Sequence, residues 1–378
     1  IATEASSKAP SKFHDRRLTL RREKQPTHRS ARATPSMAAT IRGLQLPLWA
    51  TFRSFSSSST AHCRATVATY MGASMGWHRH AVACYSSNTI KGAVRLSYSL
   101  HKSHDAATAS ALPPIVASDG LFGRKESLAP VCKALAAATG RNVFAVDMRN
   151  QGDSPHTEDM NYELTTADLE LFLQDRGVSK ATFVGHSLAG RMVMKFAVTK
   201  PSAVERLVVV DTGVKPLPPV LLDEWLPWQA SAMEHILSLL SPDMNLEQAR
   251  QVADQYLSTK VADPYVRSFL LANLRKGPHS YEWQPNLKAL RRNRQALADP
   301  HYLDNERSDV DALFVAGDES IYLTADDLKG IKRIFPNARL VTVKGANHWV
   351  HNHKTEQFVD LVKDFMAARR PEAPLQSP

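Results

Sequence analysis

A chain of 378 residues, 43% hydrophobic and 22% charged, has the composition of a globular protein, and no apolar run approaches the roughly 18 residues that a membrane-spanning helix needs. The formal charge of +10 is concentrated at one end. Residues 1–104 carry 16 Lys and Arg against Glu4, Asp15 and Glu23, which leaves 31 basic and 34 acidic side chains in the rest. The body therefore has a slight acidic excess, which argues against nucleic-acid binding by that part of the chain.

Taken in chain order, the tail comes first. Between Gln25 and His104 there is no Asp or Glu, while Arg and Ser are abundant, which is the composition of an organellar presequence. Residue 1 is Ile, and Met37-Ala38-Ala39-Thr40-Ile41-Arg42 opens a basic amphipathic stretch interrupted at Pro47. Residues 1–36 thus read as upstream of a start at Met37. Arg53-Ser54-Phe55-Ser56-Ser57-Ser58 resembles the mitochondrial pattern in which a first cut is followed by removal of an octapeptide. Residues 1–90 are expected to be a disordered mitochondrial targeting segment. Of the three cysteines, Cys63, Cys84 and Cys132, only Cys132 lies in the body. A lone thiol makes no internal disulfide, and Cys132 falls in an apolar helical pattern as a small core residue.

The body, about residues 91–370, alternates strand-like and helix-like segments. Val94–Leu100 alternates apolar and polar residues, and Pro114–Ala117 is a short apolar strand leading into Asp119-Gly120-Leu121-Phe122-Gly123. A helix around Glu126–Ala138 ends at Gly140, followed by a strand over Asn142–Val146 and a helix from about Thr166 to Gln174. Ala181–Val184 and Arg206–Val210 read as strands on either side of a helix that ends at Pro201. Gly213 to about Ser308 carries a helical pattern without a convincing strand, entered through Pro216, Pro218 and Pro219. This reads as a helical cap inserted after the strand that ends at Asp211. Its Trp225, Trp228 and Trp283 are candidates either to line an acyl pocket or simply to pack a core. The sheet resumes with Ala312–Ala316 and Arg339–Val343, and an amphipathic helix spans about Thr355–Ala368 before a disordered tail at 371–378. Strand–helix alternation with continuous apolar strands predicts an α/β fold, a mostly parallel sheet with helices on both faces.

The chemistry concentrates at Gly185-His186-Ser187-Leu188-Ala189-Gly190, where a strand must turn abruptly into a helix. A serine on such a turn is held in a strained geometry with its hydroxyl exposed and the following N–H free to bind an oxyanion. A hydroxyl nucleophile needs a base and a group that orients the base. Among 15 histidines, His348 stands apart in the loop directly after the last strand, which opens on the same sheet edge as Ser187. His351 and His353 beyond it read as solvent-facing. Asp211 and Asp318 both end strands on that edge, and both give the order Ser, Asp, His, so order leaves the choice of acid open.

Four segments now resemble a specific group: Asp119–Lys125, Val146–His156, Gly185–Gly190 and Asn347–His351. They are similar to the α/β-hydrolase-domain-11 family, which includes mitochondrial serine hydrolases, small bacterial esterases and fungal ethanol acetyltransferases. Asp147-Met148-Arg149-Asn150-Gln151-Gly152-Asp153-Ser154-Pro155-His156 is the most specific element. The resemblance implies an α/β-hydrolase fold with Ser187 as nucleophile and His348 as general base. In the wider superfamily the acid commonly stands three residues after the glycine that ends the late strand; here that position is Ser320, which cannot serve. The group's pattern favours Asp211 over Asp318, and implies an oxyanion hole made by the backbone N–H groups of Leu188 and Leu121. Asp147 and Asp153 are read as structural, tying their loop beside the site.

Three departures stand out. Asp119 replaces the His of the family's His-Gly, Gln151 replaces a histidine, and Ala189 replaces the second elbow glycine. A carboxylate at Asp119 threatens the oxyanion hole unless it points away. The resemblance implies hydrolysis of a small-molecule ester, thioester or acyl-CoA, with no metal or organic cofactor required. The alternatives are acyl transfer to an alcohol and a hydrolase fold retained as a binding protein, while the oligomeric state is left open.

Overall fold

The computed structural model describes residues 90–368 except 218, 219, 221, 222, 225 and 300. The expected targeting segment up to residue 89, with Met37, Cys63 and Cys84, the C-terminal tail from 369, Pro218, Pro219 and Trp225 therefore lie outside the described residues. A seven-stranded sheet organises the rest. Its strands are β1 (Tyr98–His101), β2 (Ile115–Ser118), β3 (Val143–Val146), β4 (Ala181–His186), β5 (Val204–Val210), β8 (Ala312–Gly317) and β9 (Arg339–Val343). Their order is β1-β3-β2-β4-β5-β8-β9, and only β1 runs antiparallel to its neighbour. Every residue of β2, β4 and β8 is buried, as expected for parallel strands covered on both faces.

Helices α2 (Ala129–Thr139), α11 (Val350–His353) and α12 (Thr355–Ala367) pack with one core, in which Cys132, Leu135, Val208, Val315, Val350 and Phe358 meet. Helices α3 (Tyr162–Arg176), α4 (Ser187–Thr199) and α10 (Leu328–Ile334) contribute to the other, around Phe183, Met192, Phe196, Val209, Phe314 and Ile331. Cys132 is fully buried, and burial pushes its thiol pKa up to about 12. It is an inert core residue.

Several boundaries differ from the sequence reading. The first strand is confined to Tyr98–His101, and a short helix, α1 (Ala106–Ala111), follows it, capped by Asp105. Helix α2 starts at Ala129, with Pro130 in its first turn where a missing N–H costs nothing. Helix α3 starts four residues earlier than expected because the Asn161 side chain caps it, accepting from Leu164 N. Between Asp211 and Ala312 the chain forms α5 (Leu226–Leu239), α6 (Leu246–Ser258), α7 (Pro264–Leu271), α8 (Leu287–Arg292) and α9 (Arg294–Ala298). This segment also holds an unexpected antiparallel hairpin, β6 (Leu274–Lys276) with β7 (Tyr281–Trp283). Strands of three residues are too short to show a period.

Strand register does most to place the site. Ser118 pairs with Gly185 and His186 with Val210, while Val210 also pairs with Val315. The residues that leave the C-terminal ends of β2, β4 and β5, namely Asp119, Ser187 and Asp211, therefore emerge side by side. The chain reverses its direction of winding between β2 and β4, the switch point at which open α/β sheets bind ligands.

Candidate active site

Ser187 is the first residue of α4 and has φ +52, a left-handed conformation that non-glycine residues avoid. The turn that imposes it is crowded. A Cβ at Gly185 would lie 2.6 Å from Val193 Cγ2 and 2.7 Å from the Ala189 carbonyl; one at Gly190 would lie 2.6 Å from Thr212 Cγ2. Strand and helix meet too closely for any side chain at either position. Position 189 keeps its Cβ, and Ala189 is buried at 1% exposure.

The loop after β2 lies directly against the serine. A Cβ at Gly120 would sit 2.8 Å from Ser187 Cβ and 3.3 Å from the His186 carbonyl. Leu121 follows Gly120, and Leu188 is the second residue of α4, in the first turn, where backbone N–H groups lack intrahelical partners and the helix dipole favours negative charge. Gly120, Leu121, Ser187, Leu188 and His348 all line one cavity of ≈ 710 Å³. Trp228, Val266, Phe269, Leu270 and Leu297, all from the segment inserted between β5 and β8, line it as well, along with Trp349. Trp283 is absent from that wall: it is buried, and its Nε1 donates to the Met233 carbonyl at 2.6 Å.

His348 Nδ1 lies 2.6 Å from Asp211 Oδ2. Asp211 is fully buried with φ +50, and it also accepts from Gly317 N at 3.2 Å and from the Ser320 hydroxyl. Asp318 is exposed and accepts from Ala346 N at 3.2 Å, so the structure brings Asp211 to the imidazole and leaves Asp318 bracing the loop. Burial, followed by the charge of nearby His186, pulls the His348 pKa below 6.5, against the opposing effect of Asp211. An imidazole that is neutral at rest is the form a general base requires.

The segment Asp147–His156 buttresses the loop after β2. Lys125 donates from Nζ to Asp147 Oδ2 at 2.8 Å and to Asp153 Oδ2 at 2.5 Å, while its backbone N–H donates to Asp147 Oδ1. Gln151 Oε1 accepts from Phe122 N at 2.6 Å, so the residue that departs from the family's histidine anchors the next turn of the same loop. Gln284 donates to Asp153, and its carbonyl meets His156 Nε2, tying this loop to the inserted segment.

Asp119 turns away from the cavity, which Gly120 lines and Asp119 does not. Its carboxylate accepts from Gly120 N at 2.8 Å, from the Ser127 hydroxyl at 2.6 Å and from His186 Nδ1 at 2.8 Å. Burial alone would raise its pKa; the hydrogen bond and charge of His186, with the Ser127 hydrogen bond, outweigh this and hold the carboxyl far below its ordinary range.

His351 corrects the sequence reading. It is only 2% exposed, and its ring packs 4.6 Å from that of His186. The short helix α11 turns it inward under Phe358, whereas His353 stays exposed. Asp119, His186 and His351 are all buried, with ligand-type atoms within 4.8 Å of one another. Both ring nitrogens of His186 are already engaged there, Nδ1 by Asp119 and Nε2 by the His348 carbonyl at 2.9 Å. Among the described residues no helix is long and apolar enough to cross a membrane.

The family model for the α/β hydrolase fold matches residues 113–354. A Xenopus laevis protein named sn-1-specific diacylglycerol lipase ABHD11 is 32% identical over 319 residues, covering 84% of this chain and 93% of its own. Ethanol acetyltransferase 1 of Wickerhamomyces anomalus is 25% identical over 298 residues, covering 73% and 75% respectively. Among solved structures, a marine microorganism esterase superposes with a TM-score of 0.62 at 26% identity, covering 72% of this chain and all of that one.

Proposed function

Because this chain belongs to the α/β-hydrolase family, within its domain-11 group, we propose that it is an esterase-type serine hydrolase that cleaves a carboxylic ester or thioester through an acyl-enzyme. The observation that carries the reading is the shared cavity: Ser187 and His348 line it together, with Asp211 bonded behind the imidazole. In this mechanism Asp211 accepts a hydrogen bond from His348 Nδ1–H, which fixes the tautomer and leaves the Nε2 lone pair to take the proton of Ser187 Oγ as it attacks the acyl carbon. The N–H groups of Leu121 and Leu188 hold the developing oxyanion, and His348 returns the proton to the departing alkoxide or thiolate. Water, activated by the same imidazole, then releases the acid.

The cavity wall supports an acyl group as the buried half of the substrate, since Val266, Phe269, Leu270 and Leu297 give it a mainly apolar surface, with Gln229, Lys260 and Asp263 as polar exceptions. The relative named as a diacylglycerol lipase acts, by that name, on a glyceride ester, which falls in the same class. Incubation with a fluorophosphonate probe and with p-nitrophenyl esters tests the reading. Labelling and turnover that vanish in Ser187→Ala are expected; wild-type protein as inert as that variant would sink it in favour of a binding role.

Similarity to the ethanol acetyltransferase favours a second reading, in which an alcohol replaces water in resolving the acyl-enzyme. With acetyl-CoA and ethanol as substrates, release of acetate alone removes it. The absence of acidic residues from Gln25 to His104 supports a mitochondrial address. A tagged full chain recovered outside mitochondria on cell fractionation counts against that part.

A further inference from the structure

His186 is 3% exposed, and each of its ring nitrogens faces an acceptor: Asp119 Oδ1 at 2.8 Å from Nδ1, and the His348 backbone carbonyl at 2.9 Å from Nε2. A neutral imidazole carries one N–H and satisfies only one of them. An imidazolium satisfies both, and a buried one is sustained only beside a compensating negative charge. Asp119, itself 3% exposed, supplies that charge and is stabilised as a carboxylate by the Gly120 and Ser127 donors. The other groups around the ring are His348, Trp349 and His351, with ring centroids 4.6, 6.4 and 4.6 Å away. None of them brings a second negative charge.

We propose that Asp119 and His186 form a buried carboxylate–imidazolium pair whose second N–H grips the His348 carbonyl, making both positioning residues that hold the base-bearing loop over Ser187. The proposal rests on the hydrolase reading, since it assigns His348 as the base. It also gives Asp119 a task. The residue beside the oxyanion loop directs its charge at His186 and, through it, fixes the backbone of His348, while Asp211 orients its ring.

The Asp119→Asn variant separates charge from shape. With the amide oxygen toward His186, the ring becomes neutral and its Nε2 lone pair faces the His348 carbonyl. With the amide nitrogen toward His186, that nitrogen faces the Gly120 N–H, donor against donor. The first orientation releases the His348 carbonyl, and the second keeps that bond but pushes the Gly120 loop away, so each disturbs the site.

The test uses the full chain labelled with 15N-histidine, the His186 signals being assigned by their disappearance in His186→Gln. Wild-type His186 is expected to show two protonated ring nitrogens near neutral pH, and Asp119→Asn to show one. The variant's kcat on a p-nitrophenyl ester should fall about tenfold or more while KM stays within about twofold, the signature of a misplaced base. A neutral His186 in wild-type protein overturns the pair, whatever the variant's fold. A wild-type kcat in Asp119→Asn, with Ser187 still labelled by fluorophosphonate, overturns the positioning role alone. Wild-type protein that is as unlabelled as Ser187→Ala overturns the hydrolase reading and the positioning role with it.

Discussion

The hydroxyl of Ser320 donates to Asp211 Oδ2, the same oxygen that faces His348 Nδ1. Ser320 stands three residues after Gly317, at the end of β8, where the superfamily commonly carries its acid. Strands β5 and β8 are neighbours, with Val210 beside Val315, so a side chain from either strand end reaches one point behind the imidazole. Here β5 supplies the charge and β8 supplies a hydrogen bond to it.

This division of labour sets a ranking. Asp211→Asn is expected to lower kcat by about 10⁴-fold, as loss of the orienting carboxylate does in a serine triad. Ser320→Ala, which removes one neutral donor, should cost about tenfold or less. Asp318→Asn should stay close to wild type. Steady-state kinetics on p-nitrophenyl acetate decide it, and a greater loss at Asp318 than at Asp211 would reassign the acid.

Gly120 offers a second test. A methyl group there would press on Ser187 Cβ at 2.8 Å and on the His186 carbonyl at 3.3 Å, and neither the elbow nor β4 can yield. The loop must move instead, carrying with it the Leu121 N–H that is proposed to hold the oxyanion. Gly120→Ala should therefore lower kcat by about 10²- to 10³-fold, the cost of losing one oxyanion donor. Circular dichroism should show the fold unchanged. Full activity in the alanine variant would mean that the donor comes from another residue.

Much of this architecture was legible in the chain because β2, β3, β4, β5 and β8 are almost wholly buried and so carry apolar runs, broken in β5 only by Glu205 and Arg206 near its start. The hairpin of β6 and β7 was not, since three residues a side leave no alternation to see. Burial of His351 was equally hidden. His-x-His beside Lys354 looks like surface, and only the turn of α11 beneath Phe358 draws the first of the two inward. The contact between Asp119 and His186 depends on the pairing of Ser118 with Gly185, a register that no local pattern announces. The sequence reading left Asp119 as a threat to the oxyanion hole because the partner that turns it away is 67 residues distant.

The pH profile follows from the environment of His348. Burial, then the charge of His186, outweigh Asp211 and set its pKa below 6.5. In the proposed mechanism the base must be neutral to accept the Ser187 proton, so activity should be lost on acidification only as pH falls through that lowered value. The acid limb of kcat/KM should have its midpoint below 6.5, the ordinary value for a histidine. A midpoint above 6.5 would show that Asp211 dominates over burial.

His351 affects stability. Among the described residues neither of its ring nitrogens meets a hydrogen-bond partner, and burial pulls its pKa to about 3. Between 6.5 and that value the unfolded chain binds a proton that the native chain refuses. The native state is therefore favoured least at low pH, and stability declines as pH falls from 6.5 toward about 3. The decline amounts to about 1.4 kcal/mol per pH unit from this residue. His351→Phe removes both the proton linkage and two buried polar atoms that lack partners, and a small apolar void beside the ring leaves space for the replacement. The variant should gain about 1–2 kcal/mol near neutrality. Its unfolding free energy should also fall less steeply between about pH 6.5 and about pH 5. Urea unfolding of both proteins across that range measures the two effects together, and equal slopes would show that His351 takes its proton without leaving the core.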